Sequence, residues 1–207
     1  MKKLVLLLFI IMLSGCAGRD PEKRDYAVGL FIHGGGKISV GTAKLSKNGD
    51  ESMENIFYGG EGDDLAAALD NARKNTGDNL YFGHLRFCVI DEKAINEKNI
   101  KELSALFTDD DALAGNVWVM AAENAAAIEK AAEEGFDIAA FAEKYYGENG
   151  KYAKQKRSID INRLLYTLGR TNGSAEIPLV KAESGGLKMA GGIITENYRC
   201  TEKRSDF

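Results

Sequence analysis

NLYFGHLRFCVIDE, residues 79–92, decides how this chain folds, because apolar groups stand on both faces of it and no polar register marks one face as solvent. Side chains alternate along a strand, so the stretch read as one strand puts Phe82, His84, Arg86 and Cys88 on one face and Tyr81, Gly83, Leu85, Phe87 and Val89 on the other. A strand that is apolar on both faces belongs at the centre of a sheet. His84, one of only 2 histidines, could there be a catalytic base, a metal ligand or a packed strand residue. A base needs a nucleophile and an orienting acid, and a metal needs several ligands. Neither set is in view: His33 falls at a hairpin edge, Cys88 lies four residues on and so about 13 Å away at 3.3 Å per residue, and no HExxH or CxxC exists. His84 therefore reads as a structural histidine hydrogen-bonded within the fold, and Phe82, Gly83, His84 and Leu85 as a structural strand motif. No catalytic residue, metal ligand or cofactor is implied.

Upstream, YAVGLFIH (26–33) and KISVGTAKL (37–45) flank GGG at 34–36. Two β-rich runs joined by residues free to take positive φ predict a hairpin. GGGK is no phosphate loop, since Ile38 follows Lys37 where Ser or Thr is required and no glycine fills the upstream position. SKNGDES (46–52) is a polar loop without the alternating oxygen ligands of a calcium site, and IFYGGEG (56–62) reads as a short strand ending in glycines. Asp63 or Asp64 then caps a helix whose Leu65, Ala68, Leu69 and Ala72 share a face, with Gly77 as its stop.

Downstream, residues 91–107 predict a helix with a capping box at Asn99 and Glu102 and with Ile100, Leu103 and Phe107 on one face. NVWVMAA (116–122) is another strand, ENAAAIEKAAEEG (123–135) a helix stopped by Gly135, FDIAAFAEKYY (136–146) a further helix, and SIDINRLLYTLGR (158–170) one with Ser158 as N-cap. Strands return in AEIPLVKAE (175–183) and GLKMAGGIITENYR (186–199). This order predicts an α+β fold of mixed α/β character, a central mixed β-sheet packed with several helices.

At 207 residues, 44% hydrophobic and 28% charged, the chain can bury a real core but is short for two full-sized domains. With 2 prolines against 23 glycines it is not a Pro-rich disordered protein. Loss of Lys2 and Lys3 with a leader would take the formal charge from −4 to −6, which leaves a mildly acidic body without the footprint of a nucleic-acid binder.

That leader is plain. Lys2 and Lys3 precede LVLLLFIIML, an apolar run of 10 residues that is too short for a hydrocarbon core of about 30 Å. LSGC (13–16) then resembles the bacterial lipobox, in which the cysteine sulfur receives a diacylglyceryl group and cleavage leaves that cysteine as the new N-terminus. The expected organisation is a lipoprotein signal peptide over 1–15, a lipidated tether over 16–25 starting at Cys16, a domain over 26–200 and a polar tail over 201–207. Acylated Cys16 would hold the domain on membrane lipid outside the cytoplasmic membrane.

The order of segments and their local wording together resemble the Ger(x)C family of spore germination lipoproteins, the C subunits of germinant receptors. The resemblance is carried by LSGC, by YAVGLFIH and the strand after it, by the helix DLAAALDNARKN leading into NLYFGHLRFCVID, by NVWVMAAE, and by the late IPLVKAE and LKMAGGIIT. It covers roughly 180 residues of the N-terminal region only. Family members usually carry Trp-Asp after the lipid cysteine, where this chain has Ala17 and Gly18, and they usually continue into further domains, where it stops at Phe207. The resemblance implies a non-enzymatic accessory or scaffolding subunit on the outer face of the spore inner membrane, working with integral-membrane A and B subunits in nutrient-triggered germination. The alternative is an extracytoplasmic lipoprotein that binds a small molecule, or a minor hydrolase, which a deep pocket with convergent polar groups would favour.

Four further features read plainly. Cys88 and Cys200 are expected as free thiols and the DDD at 109–111 as a solvated helix end. KYAKQKR (151–157) is a solvated loop that could touch anionic headgroups, and the alanine stripe over 125–132 packs within the molecule.

Overall fold

A computed structural model of the chain describes residues 25–45, 53–76, 80–109, 113–147, 150 and 160–204. The leader, Cys16 and its tether, the loop at 46–52, Gly77, Asp110 and Asp111, the run at 151–157 and Ser158 lie outside these residues.

The glycine hairpin forms as the sequence predicts. β1 (Asp25–His33) and β2 (Lys37–Leu45) pair antiparallel, and Gly35 and Gly36 between them take φ of 80° and 74°, a region that side chains with a Cβ rarely enter. β3 (Met53–Glu61) adds to β2 along its whole length. α1 (Leu65–Asn75) starts at Asp64, whose side chain accepts a hydrogen bond from the Ala67 amide, and it buries the expected Leu65, Ala68, Leu69 and Ala72. It lies directly on β3, because a Cβ on Gly60 would stand 2.0 Å from the Ala68 carbonyl oxygen.

β4 (Leu80–Tyr81) pairs parallel with the start of β1, and β5 (Phe87–Asp91) with its later half. A single 3₁₀ turn, Glu92–Ala94, leads to α2 (Glu97–Asp109), and β6 (Trp118–Ala122) follows. Three helices come next, α3 (Ala125–Glu133), α4 (Ile138–Tyr146) and α5 (Ile161–Arg170). The chain then runs back and forth through β7 (Ala175–Glu183), β8 (Gly186–Glu196) and β9 (Arg199–Arg204). The described strands form one sheet in the order β3-β2-β1-β5-β6-β7-β8-β9, with β4 beside β1. β1, β5, β6 and β7 run parallel at its centre, and antiparallel strands close both flanks. The architecture is the mixed sheet with several helices, α+β, that the segment order implies.

Strand alternation sorts the core into two layers. Leu30 and Ile32, Cys88 and Ile90, Val119 and Ala121, and Ile177 and Leu179 meet α1, α2 and α5 on one face. Phe31, Phe87 and Val89, Met120 and Ala122, and Val180 meet α3 and α4 on the other. At roughly 25 cal/mol per Å² of apolar surface, burying each such side chain contributes about 1.5–3 kcal/mol.

Three local expectations are corrected. α2 starts earlier than the capping box at Asn99 predicts, because the Asn96 side chain accepts from the Asn99 amide. Glu102 is drawn away from any box, accepting from the Leu65 amide at 3.1 Å and so tying α2 to the first turn of α1. α5 is capped by Asp160, whose carboxylate accepts from the Arg163 amide at 2.8 Å, rather than by Ser158. Residues 201–204, expected as tail, lie in β9, an edge strand whose charged side chains suit an exposed edge.

Candidate functional site

Leu80 and Tyr81 hold β4 beside Asp25 and Tyr26, but the strand does not continue through the next four residues. The Leu85 amide donates to the Phe82 carbonyl at 3.0 Å, closing a turn over Phe82, Gly83, His84 and Leu85. The Arg86 amide then donates to the Val28 carbonyl at 2.9 Å, and the Arg86 carbonyl accepts from the Trp118 amide at 2.9 Å, which starts the parallel ladder. The expected single strand is thus a two-residue strand, a turn and β5. The reason lies in burial: Phe82 and Leu85 enter the same core layer, 1% and 2% exposed, and residues three apart cannot share a face in a strand.

The turn throws Gly83 and His84 outward. His84 is therefore exposed rather than held among interior hydrogen bonds. Its ring lies edge-on to Tyr26 with centroids 5.1 Å apart and tilted to Tyr81 at 5.9 Å, while Tyr26 and Tyr81 meet edge to face at 5.8 Å. Gly83 makes the cluster possible, since a Cβ there would stand 2.5 Å from the Tyr81 hydroxyl. The Arg73 guanidinium, partly exposed and paired with Asp70, sits 5.1 Å from the Phe82 ring centroid. Beside the turn Arg86 pairs with Glu143 of α4 at 2.7 Å, on an open surface shared with Asn116 and Trp118. The result is a three-ring aromatic rim at the edge of the sheet where β1 begins.

The opposite edge holds a group of residues that sequence reasoning missed. His33 Nε2 lies 3.1 Å from Ser39 Oγ and 3.0 Å from Glu129 Oε2. The residue types are those of a hydrolytic triad, but in a triad the hydroxyl and the acid bind different ring nitrogens. Here Glu129 and Ser39 share one nitrogen, so an imidazole oriented by Glu129 is not free to take the Ser39 proton. The arrangement fastens the hairpin to α3. Nothing local signals it, because 96 positions separate His33 from Glu129 in the chain.

Beyond β5 and β6, Asp91 accepts from the Lys93 amide and, at 3.1 Å, from the Ala125 amide at the start of α3. Glu123 is held below the usual carboxylate range by hydrogen bonds from Lys181 and then Lys203. Lys203 is held above its ordinary value chiefly by its bond to Glu92, then by Glu123. These pairs stitch β9 to the ends of β5 and β6. Cys88 is a free, fully buried thiol that burial pushes up to about 12, so it is no nucleophile at neutral pH. Cys200 is also free, and its thiol is raised by burial and by Glu92.

Among the described residues no group of three or more His, Cys, Asp or Glu side chains is placed to hold a metal ion. A cavity of about 190 Å³ lies between the Gly41 and Phe57 side of the sheet and the Gly135 to Asp137 bend. Its polar groups are engaged elsewhere: the Asn55 amide donates to the Ala132 carbonyl at 2.9 Å, and Asp137 caps α4. Small-molecule sites usually occupy about 300–1,000 Å³, a range that open surface depressions of about 480 Å³ beside Arg73 and Glu102 and about 600 Å³ beside His33 and Ser39 reach. No helix among the described residues is long and apolar enough to cross a membrane.

A family model described as the spore germination protein N-terminal domain matches residues 18–182. No curated protein and no solved structure matches the chain.

Proposed function

Because the chain belongs to the family of spore germination protein N-terminal domains, we propose that it acts as the lipid-anchored, C-type subunit of a germinant receptor, with a scaffolding rather than a chemical role. The observation that carries this reading is the match itself, which starts two residues after Cys16 and runs from β1 through most of β7. LSGC lies just upstream of the matched residues, and in this reading it is the processing signal. In this reading the acyl chains on Cys16 hold the domain at the outer face of the spore inner membrane, and the domain offers its surface to the integral-membrane A and B subunits. Binding energy would come from surface complementarity. The shared nitrogen in the His33, Ser39 and Glu129 group supports a structural part for those residues.

Deletion of the gene tests the role. Spores lacking the chain should lose the response to one nutrient signal and keep the response to others, and a Cys16→Ala chain should fail to restore it. Normal germination of the deletion strain with every nutrient would refute the proposal.

A further inference from the structure

The outward face of α5 presents Arg163, Tyr166, Gly169 and Arg170, and we propose that this face docks against an acidic surface of a protein partner, with Tyr166 as the central contact. The inference deepens the scaffolding reading and rests on it for the existence of a partner.

Spacing along α5 sets the face apart. Ile161, Leu164 and Leu168 are buried, and Leu165 packs against the same layer. Arg163, Tyr166, Gly169 and Arg170 are exposed. Residues three and four apart are neighbours on a helix, so Arg163, Tyr166 and Arg170 form one stripe. Tyr166 is 63% exposed, the more open of the two large hydrophobic side chains left at the surface among the described residues. The Arg170 guanidinium lies 5.6 Å from its ring centroid and donates to its hydroxyl at 2.8 Å. Both side chains are thus held in place before a partner arrives, which lowers the entropy lost on binding. Tyrosine and arginine are also residue types that dominate binding energy at protein interfaces.

Charge defines the partner. α5 itself has no carboxylate, and the neighbouring Asp160 side chain is spent on the Arg163 amide. Among the described residues no carboxylate pairs with Arg163 or with Arg170, whose guanidinium is turned to Tyr166. The whole chain carries a formal charge of −4, so the stripe is a basic patch on an acidic molecule. Guanidinium forks match carboxylates in geometry as well as sign. At 1.5 Å per residue the two arginines stand about 10 Å apart along the helix axis, and the matching surface offers carboxylates at that spacing around an apolar depression for the tyrosine ring. A bilayer fits less well, because a helix resting on lipid turns its apolar face outward and α5 turns its leucines inward. Gly169 shapes the same face. A Cβ there would meet nothing within 4 Å, so alanine, a better helix former, would fit; glycine leaves a flat place beside Tyr166 for close approach of another backbone.

The test uses spores that carry the full chain with the photoreactive residue p-benzoylphenylalanine at position 166, or at exposed Glu133 of α3, whose helix packs on the other face of the sheet. Adducts formed on irradiation are identified by mass spectrometry. The expected product at position 166 is an adduct to one protein, through a peptide bearing aspartate or glutamate, at a yield at least about fivefold above that at position 133. Arg163→Glu combined with Arg170→Glu should lower that yield by a similar factor in a chain whose circular dichroism matches the parent's. Gly169→Ala should lower it while keeping or raising the thermal midpoint, which separates lost docking from lost folding. Equal yields at the two positions, no adduct at 166, an adduct to phospholipid, or a yield that neither variant moves overturns the inference. The scaffolding reading then still stands if deletion of the gene abolishes a nutrient response. A deletion strain that germinates normally with every nutrient overturns that reading instead, whatever position 166 touches.

Discussion

Leu85 and His84 are neighbours in sequence, yet alanine at the two positions is expected to cost very different amounts. Leu85 is 2% exposed and packs with Phe82 in the layer beneath α1, α2 and α5. Leu→Ala at such sites costs about 2–5 kcal/mol, lost transfer free energy plus the cavity left behind. A value of ~3 kcal/mol suits a residue at the rim of its layer. For a chain of 150–250 residues, each kcal/mol moves the midpoint by roughly 2–4 °C, so Leu85→Ala should lose about 6–12 °C. His84 is exposed, and its removal forfeits only ring contacts with Tyr26 and Tyr81. Such pairs are worth about 0.5–1.5 kcal/mol even when buried, so His84→Ala should cost under ~1 kcal/mol. Thermal unfolding of the detergent-solubilised full chain, followed by circular dichroism, separates the two. If His84→Ala lowers the midpoint as far as Leu85→Ala does, the turn is wrong and the histidine belongs to the interior.

Gly60→Ala should be costly, about 3 kcal/mol or more, because its Cβ meets helix backbone at 2.0 Å and α1 must lift from β3; a midpoint within 2 °C of the parent, on the scale just given, would show that the helix is not seated there. Thiol titration of the native protein should find Cys200 accessible and Cys88 only after denaturation; three titratable thiols in denaturant would mean that Cys16 carries no lipid. Burial raises the Cys88 thiol, so its contribution is complete below the unfolded thiol's value near about 8.5 and is lost as pH climbs toward about 12. Cys88→Ala should remove that part of the alkaline loss in denaturant midpoints measured across this range. Glu123 has the opposite sign: its lowered carboxyl stabilises above its unfolded value and ceases to do so as acid protonates it. Since its partners are solvent-exposed, Lys203→Ala should speed amide exchange in β9 while costing under ~1 kcal/mol overall.

Much of the fold is visible in the residues wherever one face is polar. The buried set of α1 follows from spacing alone, and the hairpin follows from two β-rich runs around glycines that take positive φ. The FGHL turn was hidden because both faces of the neighbouring strand are core. Without a polar register, a break in alternation leaves no mark in hydrophobicity. The signal that could have shown it is Gly83, a glycine inside a strand-like run. The caps at Asn96 and Asp160 were missed by three and two residues because several capping side chains stand within one turn of each other, and tertiary contacts choose among them. Glu102, spent on the Leu65 amide, illustrates that choice. β9 was hidden for another reason: RCTEKR reads as solvated tail, and an edge strand needs the same charges. The His33 and Glu129 pair and the rim of Tyr26 with Tyr81 and His84 join residues far apart in the chain, which only the sheet order brings together.

Mass spectrometry of the amino-terminal peptide recovered from the spore inner-membrane fraction tests the central claim most directly. The predicted result is a peptide that begins at Cys16 and carries a thioether-linked diacylglyceryl group. A peptide with residues 1–15 still attached, or a bare Cys16 thiol on a chain recovered from the spore core, would contradict it.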